Sequence, residues 1–199
     1  MTLADGIAEL GLTLPTGAEG KLEAFMALLA KWNRSYNLTA IRDPDQMVTH
    51  HLLDSLAVLP HLGPIKKLAD VGSGAGLPGL TLAISRPELR VTSVEASHKK
   101  VAFQQQAKIE LKITNVSIHC GRVERLKGVF DAVISRAFAD LAEFVGVAGH
   151  LTGRLLAMKG AYPATEIARL PDGWRLADAV KLNVPGLVAE RHLLILERT

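Results

Sequence analysis

The sequence predicts an α/β fold in which helices cover a mostly parallel β-sheet. From Lys66 onward, short apolar runs typical of buried strands alternate with helical patterns. The first run ends in closely spaced glycines, which are typical of a turn that brings a ligand close to the backbone. The last two runs are joined through Pro185-Gly186 without a helix, and such a short connection favours an antiparallel pair.

Residues 1–64 are predicted to form a helical extension packed on the sheet domain, which comprises residues 65–199 as one structural unit. After a short helix at residues 3–12, apolar side chains recur at three- and four-residue spacing from Leu22 to Tyr36 and predict a core-facing helix. The next helix should begin with Asp43 as N-cap, Pro44 at the first helical position and Gln46 closing a capping box. We expect a bend near His50-His51. Metal binding by this pair is disfavoured, because neighbours on a helix point about 100° apart.

The strands and helices after residue 64 follow from the same patterns. The predicted strands are residues 67–71, 90–95, 116–120, 129–135, 153–159, 174–184 and 191–197. Helices are predicted to begin around Pro78, after Ser97 as a cap, at Phe138 and at Pro163. A polar loop is expected at residues 121–125.

Composition narrows the classes of function. With 199 residues, 48% of them apolar, the chain can bury a substantial core and is not expected to be disordered. Its apolar runs fall short of the ~18 residues of a membrane span, and the N-terminus carries acids where a signal peptide carries lysines, so we expect a cytoplasmic protein. Cys120 is the only cysteine, which excludes a thiolate zinc site, and we expect no metal. The net charge of +3 permits a nucleic-acid partner without requiring one. No sustained heptads are present, so a monomer is expected.

The candidate ligand-binding turn lies between Asp70 and Gly79. Gly72, Gly74 and Gly76 can take positive φ and point backbone N–H groups at a bound molecule. The spacing Gly74-Ala75-Gly76-Leu77-Pro78-Gly79 also fits the dinucleotide fingerprint, so the turn alone leaves a nicotinamide cofactor open. Glu95 ends the second predicted strand, where a carboxylate can accept the hydroxyl protons of a ribose.

Together, the acid-ended first strand, the glycine turn, Glu95 and the antiparallel sheet end resemble the class I S-adenosylmethionine-dependent methyltransferases. That resemblance implies a Rossmann-like fold with a seven-stranded sheet. Segments in order from residue 32 to the C-terminus are similar to the bacterial 16S ribosomal RNA (guanine-N7) methyltransferase family, also called glucose-inhibited division protein B. These segments are Trp32-Asn33-Arg34-Ser35-Tyr36-Asn37-Leu38-Thr39, His51-Leu52-Leu53-Asp54-Ser55, residues 70–79, Ile134-Ser135-Arg136-Ala137-Phe138 and Arg191-His192-Leu193.

The family resemblance implies S-adenosylmethionine as cofactor and 16S rRNA, or the small ribosomal subunit, as substrate. Carried over by position, it implies cofactor contacts at Gly72, Leu77, Val123, Glu124 and Arg136, although Glu124 alone also reads as a solvated loop acid. The wider methyltransferase resemblance adds Asp70, Gly74, Gly76 and Glu95. The Asn/Asp-Pro-Pro motif of amino-group methyltransferases is absent at Arg136, which agrees with an N7 target. Guanine N7 presents an in-plane lone pair, so no general base is expected.

Some roles remain open from the residues alone. Arg136 can clamp a cofactor carboxylate or an RNA phosphate, or pair with Asp131 or Asp140. The candidates for RNA contact are Arg122, Arg34 and His51. The helical extension either docks RNA or only covers one face of the sheet.

Two other functions compete with the methyltransferase hypothesis. One is a nicotinamide-dependent oxidoreductase that uses the same turn. The other is a non-catalytic RNA-binding factor with a vestigial cofactor pocket.

Overall fold

A single mixed sheet organises the protein. The computed structural model describes residues 1–136, 138 and 140–199, and within them seven strands are ordered β3-β2-β1-β4-β5-β7-β6. Strands β1 to β5 are parallel, while β7 runs antiparallel to both β5 and β6. The strands are β1 Lys67–Val71, β2 Arg90–Glu95, β3 Val116–Cys120, β4 Ala132–Ser135, β5 Arg154–Lys159, β6 Trp174–Lys181 and β7 His192–Arg198. The predicted α/β fold and its antiparallel C-terminal strand are confirmed.

Helices cover both faces of this sheet. A π-helical turn at Val48–Leu53 joins α3 to α4, at the place where the sequence predicted a bend. Short 3₁₀ turns lie at Leu59–His61, Val123–Arg125 and Gly149–Leu151. The helices are α1 Leu3–Glu9, α2 Ala18–Tyr36, α3 Pro44–Met47, α4 Asp54–Leu56, α5 Gly79–Ser85, α6 His98–Glu110, α7 Leu141–Ala148 and α8 Ala164–Ile167.

Side chains alternate between the two faces of the sheet, as the two-residue period of a strand requires. Leu68 and Ile134 point into the cluster that also holds α2 and the π-helical turn, whereas Val71 and Val133 point into the cluster formed with α7. On the first face, Phe25 of α2 is fully buried and stacks on Phe103 of α6 at 5.9 Å between ring centroids. The N-terminal helices therefore complete the core, and burying such a side chain contributes about 1.5–3 kcal/mol.

At the starts of α3 and α6 the capping hydrogen bonds differ from those that the sequence predicted. The Asp43 side chain does cap α3 by accepting the N–H of Asp45 at 3.0 Å. Gln46, however, donates to the Asp43 carboxylate at 3.3 Å, so the predicted capping box is wrong. Ser97 is the N-cap residue of α6, but its side chain makes no capping bond.

Strand β4 begins three residues later than predicted, because Phe130 and Asp131 form other hydrogen bonds before the strand starts. The Phe130 N–H donates to the Leu151 carbonyl at 2.9 Å. The Asp131 carboxylate accepts the N–H groups of Lys66 and Lys67 at 2.7 and 2.8 Å, ahead of and at the start of β1. After β4, Asp140 caps α7, so that helix starts at Leu141 rather than Phe138. The helix predicted from Pro163 shrinks to α8, and the predicted polar loop at 121–125 contains a 3₁₀ turn.

Candidate active site

The glycine turn leaves the carboxyl end of β1, where the ends of β2 and β4 also lie. Gly72, Gly74 and Gly76 have φ of 68°, 58° and 88°, the left-handed conformation that their sequence predicted. A Cβ at Gly76 would lie 2.9 Å from the Leu80 side chain, so this glycine also permits close packing onto α5. In parallel α/β sheets, ligands bind outside this edge.

The N–H groups of the turn largely bond within the protein. Those of Gly72 and Ser73 donate to the Val94 carbonyl at 3.0 and 3.1 Å, and that of Gly74 donates to Glu95 Oε2 at 2.8 Å. The expectation that Gly72 and Gly74 point these groups at a ligand is therefore wrong. At Gly74, by contrast, no atom lies within 4 Å of the position a Cβ would take, so a ligand can approach the backbone there.

Asp70 supports the turn from behind. Its side chain is fully buried and Oδ2 accepts the Gly79 N–H at 2.7 Å, which fixes the start of α5 against β1. Burial raises the pKa of this carboxyl to about 7, although the Gly79 hydrogen bond and the Arg136 charge oppose the rise. Oδ1 has no hydrogen-bond partner among the described residues.

A buried polar network behind the turn was not predicted from the sequence. Gln104 Nε2 donates to Ser73 Oγ at 2.9 Å and to the Gly74 carbonyl at 2.8 Å. Ser93 Oγ lies 2.7 Å from Ser73 Oγ and 2.6 Å from Gln104 Oε1. The side chains of Ser93 and Gln104 are fully buried, so this network ties β2 and α6 to the turn.

Three cavities lined by described residues lie at and beside the turn and share residues. The first, the Glu95 cavity, lies between the turn and the residues that follow β3 and has a volume of about 280 Å³. Both carboxylate oxygens of Glu95 accept backbone N–H groups, from Gly74 and Ser97, at 2.8 Å each. Each oxygen keeps a further lone pair for hydroxyl groups. The lining residues are Gly72, Val94, Glu95, Ala96, Gly121, Arg122, Val123, Glu124, Phe138, Glu143 and Val147.

The second cavity, the Thr39 cavity, shares Gly72 with the first and has a volume of about 190 Å³. It lies between the turn and the loop after α2. Asn33 fixes that loop, because its side chain accepts the Thr39 N–H at 2.9 Å and donates to the Ile41 carbonyl at 3.2 Å. The lining residues are Leu38, Thr39, His51, Gly72, Ser73, Gly74, Ala75, Leu77 and Arg136.

The third cavity, the arginine cavity, shares His51 and Arg136 with the second and has a volume of about 360 Å³. The Asp54 side chain is 2% exposed; its carboxylate accepts from Arg136 Nη1 at 3.1 Å and from Arg191 Nε at 3.0 Å. Arg136 Nη1 also donates to the His50 carbonyl at 3.1 Å. The lining residues are Ile41, His50, His51, Asp54, Arg136, Met158, Lys159, Gly160 and Arg191.

The ion pair at Asp54 corrects the partners considered for Arg136. Asp131 is bonded to the backbone before and at the start of β1, and Asp140 accepts the N–H groups of Ala142 and Glu143 at the start of α7. Sequence reasoning missed the Asp54–Arg191 contact. Both residues lie in segments that carry the family resemblance, but 137 positions separate them.

The residues expected to contact RNA are dispersed. Arg122 is exposed and lines the Glu95 cavity. Arg34 lies in a separate, largely apolar groove formed by α1, α2 and α3. His51 is 5% exposed and contacts Thr39 Oγ1 through Nε2 at 3.0 Å, so any contact with RNA would occur inside the cavities.

Among the described residues, no group of three or more histidines, cysteines or acids is arranged to hold a metal ion. No helix in the described part of the chain is long and apolar enough to cross a membrane.

Solved structures share this architecture and identify the fold. The SAM-dependent methyltransferase from Aquifex aeolicus matches with a TM-score of 0.58 and 16% identity over 78% of this chain and 94% of that one. Magnesium protoporphyrin IX methyltransferase from Synechocystis PCC 6803, solved with bound SAM, matches with a TM-score of 0.60 and 15% identity over 88% and 97% of the two chains. The fold is that of the class I S-adenosylmethionine-dependent methyltransferases.

Sequence relatives narrow the class to a family. The family model described as "GidB: rRNA small subunit methyltransferase G" matches residues 18–194. The ribosomal RNA small subunit methyltransferase G of Aromatoleum aromaticum is 59% identical over 206 residues, covering 99% of this chain and 98% of that one. The chain therefore belongs to the rRNA small subunit methyltransferase G family, and it is a methyltransferase of ribosomal RNA that uses S-adenosylmethionine. Family membership decides against the oxidoreductase and the non-catalytic RNA-binding factor.

Proposed function

We propose that this protein transfers the methyl group of S-adenosylmethionine to N7 of one guanosine in 16S rRNA, with one reaction component in each of the three cavities. The Glu95 cavity receives the adenosine, the Thr39 cavity the methionine end and the arginine cavity the target nucleotide. The observation that carries this assignment is the continuity of the cavities. Gly72 joins the first to the second, and His51 and Arg136 join the second to the third.

Glu95 holds the ribose of the cofactor in this proposal. Because the N–H groups of Gly74 and Ser97 fix both carboxylate oxygens at 2.8 Å, the remaining lone pairs have a set direction for two ribose hydroxyls. Val123 and Glu124 follow in the 3₁₀ turn after β3 and contact the adenine.

The methionine end lies against Gly72, Gly74 and Leu77, which line the Thr39 cavity. Arg136 reaches the same cavity and attracts the cofactor carboxylate. Asp70 and Gly76 contribute indirectly, the first through the start of α5 and the second through packing on Leu80.

Methyl transfer to N7 needs alignment rather than proton removal. The N7 lone pair attacks the methyl carbon in line with the sulfur, and the cavity walls hold the reactants and exclude water. Positive charge moves from sulfur to the purine, so an uncompensated cation beside the ring would oppose the reaction. Asp54 pairs with both Arg136 and Arg191 and reduces that opposition.

The RNA must present an unpaired or splayed-out guanosine, because the cavities lie at the edge of the sheet rather than on an open face. Exposed Arg122, Arg34 and Lys31 then contact phosphates around the site. In this proposal residues 1–64 form an extension that assists docking to the domain of residues 65–199. The protein acts as a monomer on 16S rRNA or the small subunit in the cytoplasm, without a metal or a membrane.

Two measurements test the proposed function. The first maps N7-methylguanosine in 16S rRNA from cells with and without the gene, and we expect one site to lose its methyl group. The second supplies purified protein, labelled S-adenosylmethionine and small subunits from the deletion strain, and we expect label at that same site. Retention of every N7-methylguanosine in the deletion strain would contradict the proposal. Calorimetric titration should show binding of S-adenosylmethionine and none of NAD.

A further inference from the structure

His51 occupies the wall between the two cavities where the reacting atoms meet. The π-helical turn at Val48–Leu53 carries it, and the residue lines both the Thr39 cavity and the arginine cavity. Only 5% of the residue is exposed. π-Helical turns within helices are frequent at functional sites, because they move a side chain away from the regular helical positions.

One nitrogen of the His51 ring has a partner and the other does not. Nε2 lies 3.0 Å from Thr39 Oγ1, while buried Nδ1 has no hydrogen-bond partner among the described residues. A polar atom that is buried and unpaired destabilises a fold, so Nδ1 is available to a partner in the cavity, whether a water molecule or a group of the substrate.

The contacts of the ring are compatible with a hydrogen on Nδ1. Thr39 Oγ1 accepts the Ile41 N–H at 3.3 Å and still has its own hydrogen to donate to His51 Nε2, 3.0 Å away. In this tautomer Nδ1 carries the ring hydrogen. Burial and the Arg136 charge lower the pKa of His51 to about 4, so the ring stays neutral and adds no positive charge beside the purine.

Guanine fits a donor at this position. Its N7 and O6 acceptors lie side by side on one edge, so a guanine with N7 directed at the methyl group presents O6 to the adjoining wall. Adenine presents an amino group at the same place, which a donor repels. We propose that His51 Nδ1–H donates a hydrogen bond to O6 of the target guanine and thereby determines the base specificity of the enzyme.

This inference rests on the proposed function, and it specifies the kinetic step that His51 serves. A donor on O6 binds the neutral guanine at least as well as the cationic product, so it favours substrate binding rather than the transition state. Loss of the contact should therefore raise KM for the RNA substrate and leave kcat nearly unchanged.

Two substitutions distinguish the contributions of the two ring nitrogens. Asn places its amide nitrogen close to the position of Nδ1, whereas Gln reaches the position of Nε2 and keeps only the Thr39 contact. We expect His51→Gln to raise KM for small subunits about tenfold, the equivalent of one hydrogen bond, and His51→Asn to recover part of the loss. His61→Gln is the matched control, since His61 lies in the 3₁₀ turn at Leu59–His61 before β1, away from the cavities. Wild-type KM in His51→Gln would overturn the proposal.

A substrate change makes the test specific to O6. Small subunits reconstituted with 2-aminopurine at the mapped position keep N7 and lack O6. Wild-type protein should lose about tenfold in kcat/KM on them, and His51→Gln should lose little more, because both changes remove the same contact. Additive losses would overturn the inference. Failure of wild-type protein to methylate normal subunits would instead overturn the proposed function.

A measurement on unaltered protein covers the case in which His51→Gln does not fold. Nitrogen NMR of the histidine rings distinguishes the two neutral tautomers. We expect hydrogen on Nδ1 of His51 in wild-type protein, and hydrogen on Nε2 would overturn the proposal.

Discussion

Gln104 Nε2 donates to the Gly74 carbonyl at 2.8 Å, which ties the middle of α6 to the glycine turn through a bond inside the core. The same nitrogen donates to Ser73 Oγ, so one side chain restrains two successive residues of the turn. Cofactor and turn meet at Gly74 in the proposed site. The stiffness of the turn therefore depends on a residue that does not line the Glu95 or Thr39 cavity.

Substitution Gln104→Leu should weaken both the fold and cofactor binding. The Gly74 carbonyl would lose its amide partner, and we expect a loss of about 1–3 kcal/mol in the free energy of unfolding. The affinity for S-adenosylmethionine should fall about tenfold as the turn loosens. Urea unfolding and calorimetry measure the two effects. Gln106→Leu, on the exposed side of the same helix, should change stability by no more than about 0.5 kcal/mol. Equal cofactor affinity in the two variants would show that the network is only structural.

Glu95→Ala should abolish most of the cofactor affinity. The change removes the acceptor for the ribose hydroxyls and leaves the N–H groups of Gly74 and Ser97 without their carboxylate. We expect the dissociation constant for S-adenosylmethionine to rise about 100-fold, corresponding to one or two charge-assisted hydrogen bonds. Calorimetry with Glu110→Ala, an exposed acid on α6, provides the comparison. An unchanged constant in Glu95→Ala would rule out the ribose contact.

Features that neighbouring residues decide were predictable from the sequence, whereas features that depend on contacts between distant residues were not. Strands β1, β2 and β3 have the predicted bounds because local sequence marks where they begin or end: β1 and β3 run directly into Gly72 and Gly121, and β2 follows the turn at residues 86–88. The start of β4 differs because Phe130 and Asp131 bond to residues distant in sequence. Positive φ at Gly72 and Gly74 was predictable from residue type. The direction of their N–H groups was not, since Val94 and Glu95 of β2 accept them.

Asp54→Asn should destabilise the arginine cavity. Asp54 is the buried partner of two arginines, and removing its charge leaves both guanidinium groups close together without compensation. We expect about 2 kcal/mol less stability, below the usual value for a buried pair because each arginine is roughly a quarter exposed. KM for small subunits should rise as well. Glu88→Gln removes the charge of a carboxylate that pairs with Arg86 but is 67% exposed, and it should cost less than about 1 kcal/mol in the same urea titration. Equal losses in the two variants would contradict the role of burial.

Arg122→Ala should weaken RNA binding while cofactor binding is spared. If its exposed guanidinium neutralises one phosphate, the slope of log affinity against log salt should decrease by about 1. Filter binding of small-subunit RNA across a salt series measures that slope. Arg175→Ala is a matched control, because Arg175 is exposed on β6 and paired with Glu197. An unchanged slope in Arg122→Ala would exclude a phosphate contact.

Asp70 and His51 should give opposite dependences of stability on pH. The folded state raises the pKa of Asp70 from 3.8 to about 7, so between these values the unfolded chain has lost a proton that the native protein keeps. The Asp70 contribution to stability is therefore complete below pH 3.8 and is lost as pH rises to about 7. The folded state lowers the pKa of His51 from 6.5 to about 4, so its contribution is complete above pH 6.5 and is lost as pH falls to about 4.

A neutral variant of one residue isolates the pH dependence of stability that the other residue produces. In Asp70→Asn only the His51 effect remains, so stability should rise with pH from about 4 to 6.5 more steeply than in wild type. In His51→Gln only the Asp70 effect remains, so stability should fall as pH rises from 3.8 to about 7 relative to wild type. Each slope can reach about 1.4 kcal/mol per pH unit, the value for one proton. Urea unfolding of wild type and both variants across pH 4.5 to 7.5 measures these slopes, and subtracting the wild-type curve cancels the other titrating groups. Parallel curves for all three proteins would mean that neither pKa is shifted by folding, because a proton bound by only one of the two states must appear as a difference in slope.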